Sequence, residues 1–250
     1  DVTKPTITVE YDLEDPVDER FFRQARTAKV TIRERNFDKD DVEFTITNTA
    51  GKMPSISGWE SSGSGDSAKH VCYVTFYADG DYTFTVAFQD LAGNEADYDR
   101  VDNFTIDQTK PVLHVTYNNN QSENEFYYNR SRTATIDILE HNFDPAFIDV
   151  QITADGASVP SVSGWSRDGD HNVATVTFQA DADYTFDIFG TDQAENPLDD
   201  YTMDRFVIDQ TAPDLEIFDI VHMSANNGEV RPGICFNDTN ISAENTIIHI

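Results

Sequence analysis

Apolar residues fall on every second position through most of this chain. In the first hundred residues Ile7, Val9 and Tyr11 share one side of an extended run. Ala28, Val30 and Ile32 follow, then Val42, Phe44 and Ile46, then Cys72, Val74 and Phe76, then Tyr82, Phe84, Val86 and Phe88. A period of two, rich in Thr, Val, Ile, Tyr and Phe and broken by Gly, Asn, Asp and Pro clusters, predicts half-buried antiparallel strands. No stretch carries a convincing helical period. About seven strands in about a hundred residues predict an all-β fold in which two sheets close into a sandwich.

The same pattern is then written again. RTAKVTIRERNFD at 26–38 matches RTATIDILEHNFD at 132–144 at 8 of 13 positions, PSISGW at 54–59 returns as PSVSGW at 160–165, and FTIDQTKP at 104–111 returns as FVIDQTAP at 206–213. The offset is 106 before the tryptophans and 102 after them, so a four-residue deletion falls between Trp165 and Ala180. A deletion there marks a surface loop. The unit is too long for a solenoid repeat and the right size for a self-sufficient domain. Residues 1–107 and 108–209 are therefore expected to be two modules. Residues 210–250 restart the pattern and stop after two or three strands, as an incomplete third.

ADGDYTF at 78–84 and ADADYTF at 180–186 place an acidic turn before a tyrosine at a strand start. Tyr82 and Tyr184 are read as tyrosine corners, in which the phenol reaches back to a backbone group just upstream. Phe84 stands two residues on, where an antibody domain would carry a cysteine. A ring there lets the core hold without a bridge. Asp-Gln-Thr-x-Pro links one module to the next, its proline limiting hinge freedom.

Taken together, DQTKP, RTAxxxIxExNFD, SGW, ADGDYTF and DLAGN resemble the bacterial immunoglobulin-like repeats of large Gram-positive cell-surface proteins, over residues 1–209 and partly over 210–250. The resemblance implies tandem immunoglobulin-like β-sandwiches in an extracellular, wall-attached protein, non-catalytic in this region. Some relatives are adhesins, some are stalks, and some resemble antibody-binding superantigens. Host immunoglobulin is thus the specific partner expected, on resemblance alone. A passive spacer, or an accessory module of an extracellular carbohydrate-active enzyme, are the alternatives. The family offers no ligand-contact motif that can be carried over residue by residue.

Charge narrows the partners. The 250 residues hold 17 Lys and Arg against 46 Asp and Glu, a formal charge of −29. Such a surface repels phosphate backbones and anionic lipid, so neither nucleic acid nor direct membrane contact is expected. No run approaches the ~20 apolar residues of a membrane-spanning helix. The chain begins at Asp1 without a methionine and reads as a piece of something longer. A monomeric rod of modules is the expected assembly. Cys72 and Cys235 are the only cysteines, so no disulfide framework exists, and Cys72 in HVCYVTF reads as a buried, inert thiol.

Candidate chemistry is sparse. His70, His114, His141, His171, His222 and His249 show no metal-ligand spacing, and no nucleophile elbow, phosphate loop or dinucleotide fingerprint appears. No catalytic residue is therefore assigned. DLAGN at 90–94 and DQAEN at 192–196 offer carboxylate and amide oxygens, and Asp107 and Asp209 end their modules. Asp90, Asn94, Asp107, Asp192, Asn196 and Asp209 are the candidate ligands for calcium, which takes six to eight oxygens. The competing reading makes them turn and linker residues, and the sequence leaves both standing. Trp59 and Trp165, each after Ser-Gly, are read as covers for the core. A partner surface is sought where the repeats differ, at FFRQAR (21–26) and EFYYNR (125–130). Adjacent rings cannot all point inward, so Phe21, Phe22, Arg23, Phe126, Tyr127, Tyr128 and Arg130 are the candidate contacts. Packing between modules would use the same rings.

Overall fold

A computed structural model describes residues 2–17, 20–242, 244 and 246–248; Asp1 and His249 lie outside the described residues. The alternating pattern becomes strands in the order expected of it. The first module contains β1 (Thr6–Tyr11), β2 (Phe21–Phe22), β3 (Arg26–Arg33), β4 (Val42–Asn48), β5 (Ser55–Ile56), β6 (Glu60–Ser62), β7 (Lys69–Phe76), β8 (Gly80–Phe88) and β9 (Asp102–Ile106). One sheet runs β1-β3-β7-β5, with β6 also on β7, and the facing sheet runs β2-β9-β8-β4. The only helical pieces among the described residues are single 3₁₀ turns such as Lys39–Asp41.

The second module repeats this with β10 (Val112–Tyr117), β11 (Tyr127–Tyr128), β12 (Arg132–Leu139), β13 (Ile148–Asp155), β14 (Ser166–Asp168), β15 (His171–Phe178), β16 (Ala182–Gly190) and β17 (Asp204–Ile208). Its sheets run β10-β12-β15-β14 and β11-β17-β16-β13. Neighbouring strands pair antiparallel, except that β2 lies parallel to β9 and β11 parallel to β17. After them β18 (Asp214–Phe218) and β19 (Gly233–Asn237) form a two-stranded ribbon whose Leu215 and Ile217 stay exposed. Their counterparts in the second module, Leu113 and Val115, pack against its core.

Each core is built on rings. Phe76 meets Tyr82, Phe84 and Phe104 edge-on, with centroids 5.0–5.3 Å apart, and Phe178 meets Tyr184, Phe186 and Phe206 in the same way. Edge-to-face contacts add to the burial of such large side chains. The phenol of Tyr82 donates to the Ala78 carbonyl and that of Tyr184 to the Ala180 carbonyl, both at 2.9 Å. Trp59 lies half-buried against Phe37 and Phe44, and Trp165 against Phe143. Cys72 is buried and unbridged, and burial raises its thiol pKa.

A buried arginine closes each module. The guanidinium of Arg26 stacks on Tyr11 (3.7 Å to the ring centroid), Phe22 (4.1 Å) and Phe104 (4.8 Å), while its Nε donates to the Leu13 carbonyl. Arg132 does the same with Tyr117, Tyr128 and Phe206. Desolvated cation–π contacts are worth ~2 kcal/mol or more. They tie the first strand, the short parallel strand and the last strand of the module together.

Replacing the phenol by a phenyl ring keeps the packing and removes one hydrogen bond. Tyr184→Phe is expected to lower stability by about 1 kcal/mol. Urea unfolding of the variant checks this, and an unchanged midpoint would show the corner to be ornamental.

Candidate functional site at the module joint

The Asp-Gln-Thr link is held by the very turn that precedes the tyrosine corner. Asp79 accepts from the Gln108 backbone N–H (3.1 Å), the Gln108 amide (3.1 Å) and the Thr109 hydroxyl (2.6 Å). Asp181 accepts the same three from Gln210 and Thr211. The first acid of ADxDYTF is therefore a latch on the linker, a role the sequence reading did not assign. Asp79 and Asp181 were legible only as turn residues because their partners lie about thirty positions away.

The latched linker points Asp107 into the second module. Asp107 follows β9 directly, and its N–H donates to the Phe22 carbonyl. Its Oδ2 accepts from the Asn142 amide (2.6 Å), and its carbonyl accepts from the Asn196 amide (3.0 Å). Asn142 sits in the Glu-His-Asn-Phe corner after β12, and Asn196 closes the loop after β16. In that loop Asp192 Oδ1 accepts from the Ala194 and Asn196 backbone N–H groups, and Oδ2 from the Asn196 amide. Glu140, at the head of the corner, completes the group. One carboxylate oxygen each of Asp107, Glu140 and Asp192 lie within 4.8 Å of one another. Their residues are 3%, 6% and 1% exposed.

Burial governs their acidity. Desolvation, with Asp107 and Asp192 nearby, pushes Glu140 up to about 7. Desolvation raises Asp107 and Asp192 as well. Asp90, the counterpart of Asp192, is instead held below the usual range, chiefly by the Asn94 side-chain amide.

The six sequence-named oxygen donors thus part into three places. Asp107, Asp192 and Asn196 meet at the first joint. Asp209 lies at the second, where it accepts from the Asn240 amide at 2.9 Å. Asp90 and Asn94 pair with each other at the opposite end of β8 from Asp107. Glu140 was not among the sequence candidates. Its signal was the acid that opens both copies of the corner, Glu34 (4% exposed) and Glu140.

The aromatic candidates also gather at the joints, and one expectation is corrected. Phe21 and Phe22 are both buried, at 6% and 5% exposure, so neither ring of that pair faces outward. Phe22 turns in beneath Arg26, and Phe21 lies under the Arg20 guanidinium at 5.6 Å. In the second module Tyr128 turns in beneath Arg132. The repeat's offset of 106 holds here, so Phe21-Phe22 corresponds to Tyr127-Tyr128 and Phe126 takes the place of Arg20. Arg23 is exposed but committed, since its Nη1 donates to the Glu195 carbonyl of the second module at 2.8 Å. Phe126, half-buried Tyr127 and Arg130 remain at the surface, with the first two rings stacked at 4.8 Å.

No protein-family model matches the chain, and no curated protein matches it. Among solved structures it is similar to the adhesin FdeC of Escherichia coli, at 15% identity and a TM-score of 0.37, over 87% of this chain and 68% of that one. It is similar to the adhesin InvE of Yersinia pseudotuberculosis at 10% identity and a TM-score of 0.33, over 81% of this chain and 58% of that one. Domains 5–6 of the S-layer protein SbsC match at 16% identity and a TM-score of 0.21, over 83% of this chain and 100% of that one. Likenesses this loose fix neither a function nor the arrangement of the modules.

A carboxyl whose folded pKa lies above its unfolded one stabilises the fold below the unfolded value and loses that contribution as pH rises through the folded value. For Glu140 the window runs from the ordinary 4.5 to about 7. With a chelator present, the wild-type chain should lose stability relative to Glu140→Gln between pH 5 and pH 8. Calorimetric scans of both across that range decide it, and parallel curves would refute the assignment.

Proposed function

We propose that the chain is a non-enzymatic binding segment of a bacterial cell-surface protein, displayed outside the cell and engaging a host protein. The observation that carries this reading is the difference between the two modules at one homologous place. The first module covers its aromatic pair, whereas the second adds Phe126 on top of Tyr127 and leaves the stack at the surface, with Arg130 three residues on from Tyr127 also exposed. Phe, Tyr and Arg reaching the surface together is the composition of interface hot spots. A scaffold part would be duplicated faithfully, and this one is not. Host immunoglobulin is the specific partner we propose, from the resemblance of the repeats.

The stalk remains the second reading, favoured by the joint. Side-chain hydrogen bonds at Asp79 and Asp107, from the Gln108 amide to the Tyr77 carbonyl and from Arg23 tie the linker and the neighbouring modules, as a spacer requires.

Passing serum over the immobilised chain at physiological salt is expected to retain a host protein, identified by mass spectrometry. Phe126→Ala together with Tyr127→Ala should weaken that binding by about tenfold or more. A column that retains nothing would favour the spacer, and a variant that binds as well as wild type would place the contact away from these two rings.

A further inference from the structure

We propose that the second joint is a docking cleft for a protein partner that presents arginine, with the guanidinium laid on Tyr127 as the first module lays its own Arg20 on Phe21. This names the partner's chemistry for the binding segment proposed above, and it rests on that reading. In the first module the Arg20 guanidinium stands 5.6 Å from the Phe21 centroid, and its Nη2 reaches the Asp81 carboxylate at 3.2 Å. The ring is capped, and the cap is neutralised, within one chain. The repeat sets Phe126 at the Arg20 position, Tyr127 at the Phe21 position and Asp183 at the Asp81 position. Phe126 and Tyr127 stack at 4.8 Å, and among the described residues no Lys or Arg stands over either ring.

The loss of the chain's own cations recurs around that ring. Tyr127 walls two open clefts at the second joint, of about 670 and 570 Å³. The cleft at the first joint holds Lys110 and His141. The repeat puts Ala212 in the place of Lys110, Thr239 in that of His141, and Asp155 in that of Thr49. Among the described residues no Lys, Arg or His lines either cleft at the second joint. One cation is gained nearby, since Arg205 stands where the first module has Asn103, and its Nη2 pairs with Asp183 at 2.8 Å. Arg205 satisfies that carboxylate alone. Asp155 and Asp209 form no ion pair among the described residues.

An aromatic face beside carboxylates selects a planar cation. Arginine lays its guanidinium flat on a ring while the edge of the fork bonds a carboxylate, whereas the lysine ammonium is a compact, strongly hydrated point charge. The molecule already seats Arg20, Arg26 and Arg132 on rings of the same strands. At the second joint the ring and the acids are present and the arginine is missing from the chain itself. A partner that supplies it meets complementary charge at the contact, and the formal charge of −29 draws a basic surface in from a distance.

Fluorescence anisotropy of a labelled peptide of alternating Arg and Gly, titrated with the whole chain at physiological salt, tests this. Wild type should bind it, and should bind the same peptide with citrulline, the neutral isostere of arginine, about tenfold more weakly or less. Phe126→Arg, which restores the residue of the first module, should weaken binding of the arginine peptide by about tenfold, and Asp155→Asn by about threefold. Leu91→Arg adds the same charge at an exposed position of the first module and should bind as wild type does. Melting scans check that each variant folds, and Asp155→Asn alone suffices for the test. No peptide binding by wild type, equal binding of the citrulline peptide, or equal losses in Phe126→Arg and Leu91→Arg would overturn the cleft. Peptide binding without retention of serum protein leaves the cleft standing and sinks the host-protein reading; retention of serum protein without peptide binding does the reverse.

Discussion

Each module must close two sheets without a covalent bridge, and everything else in the molecule is arranged around that need. The closure is achieved by rings: Phe76 and Phe178 stand where both sheets meet, each wedged among three aromatic neighbours. A buried arginine then covers the open end of the ring cluster, drawing in β1, β2 and β9, or β10, β11 and β17. The aromatic pair before the second long strand is spent largely on this closure. That is why a search for exposed rings among Phe21, Phe22 and Tyr128 finds buried ones.

The joint grows out of the same corner. Asp79 sits three residues before Tyr82, so the turn that delivers the corner tyrosine also grips the linker. The grip sets where Asp107 points, and Asp107 in turn meets Glu140 and Asp192. One seven-residue phrase thus serves both the core and the contact between modules. Its second writing at 180–186 serves the same pair of tasks at the next joint.

The sheets were legible because the strand period is local: a residue two positions on lies on the same face wherever the chain goes. The repeat added the spacing of the modules without any knowledge of their contacts. The joint was only half legible. Asp107, Asp192 and Asn196 could be named as oxygen donors from turn chemistry, but grouping them required pairs 85 and 89 positions apart. Glu140 was hidden by its own corner, where an acid that bonds its turn's backbone looks purely local. The side on which Phe126 and Tyr127 would emerge depended on Arg132, whose three stacked rings no periodicity reveals.

The short parallel pairings of β2 with β9 and β11 with β17 have a mechanical consequence. In each, the earlier strand leads back toward the module's entry and the later one forward to its exit. Tension along the chain pulls such neighbours in opposite directions along their length, so their hydrogen bonds are strained together rather than opened one by one. The arginine stacked over the same strands must slide off its rings in that motion. A module of this kind yields to traction late and all at once.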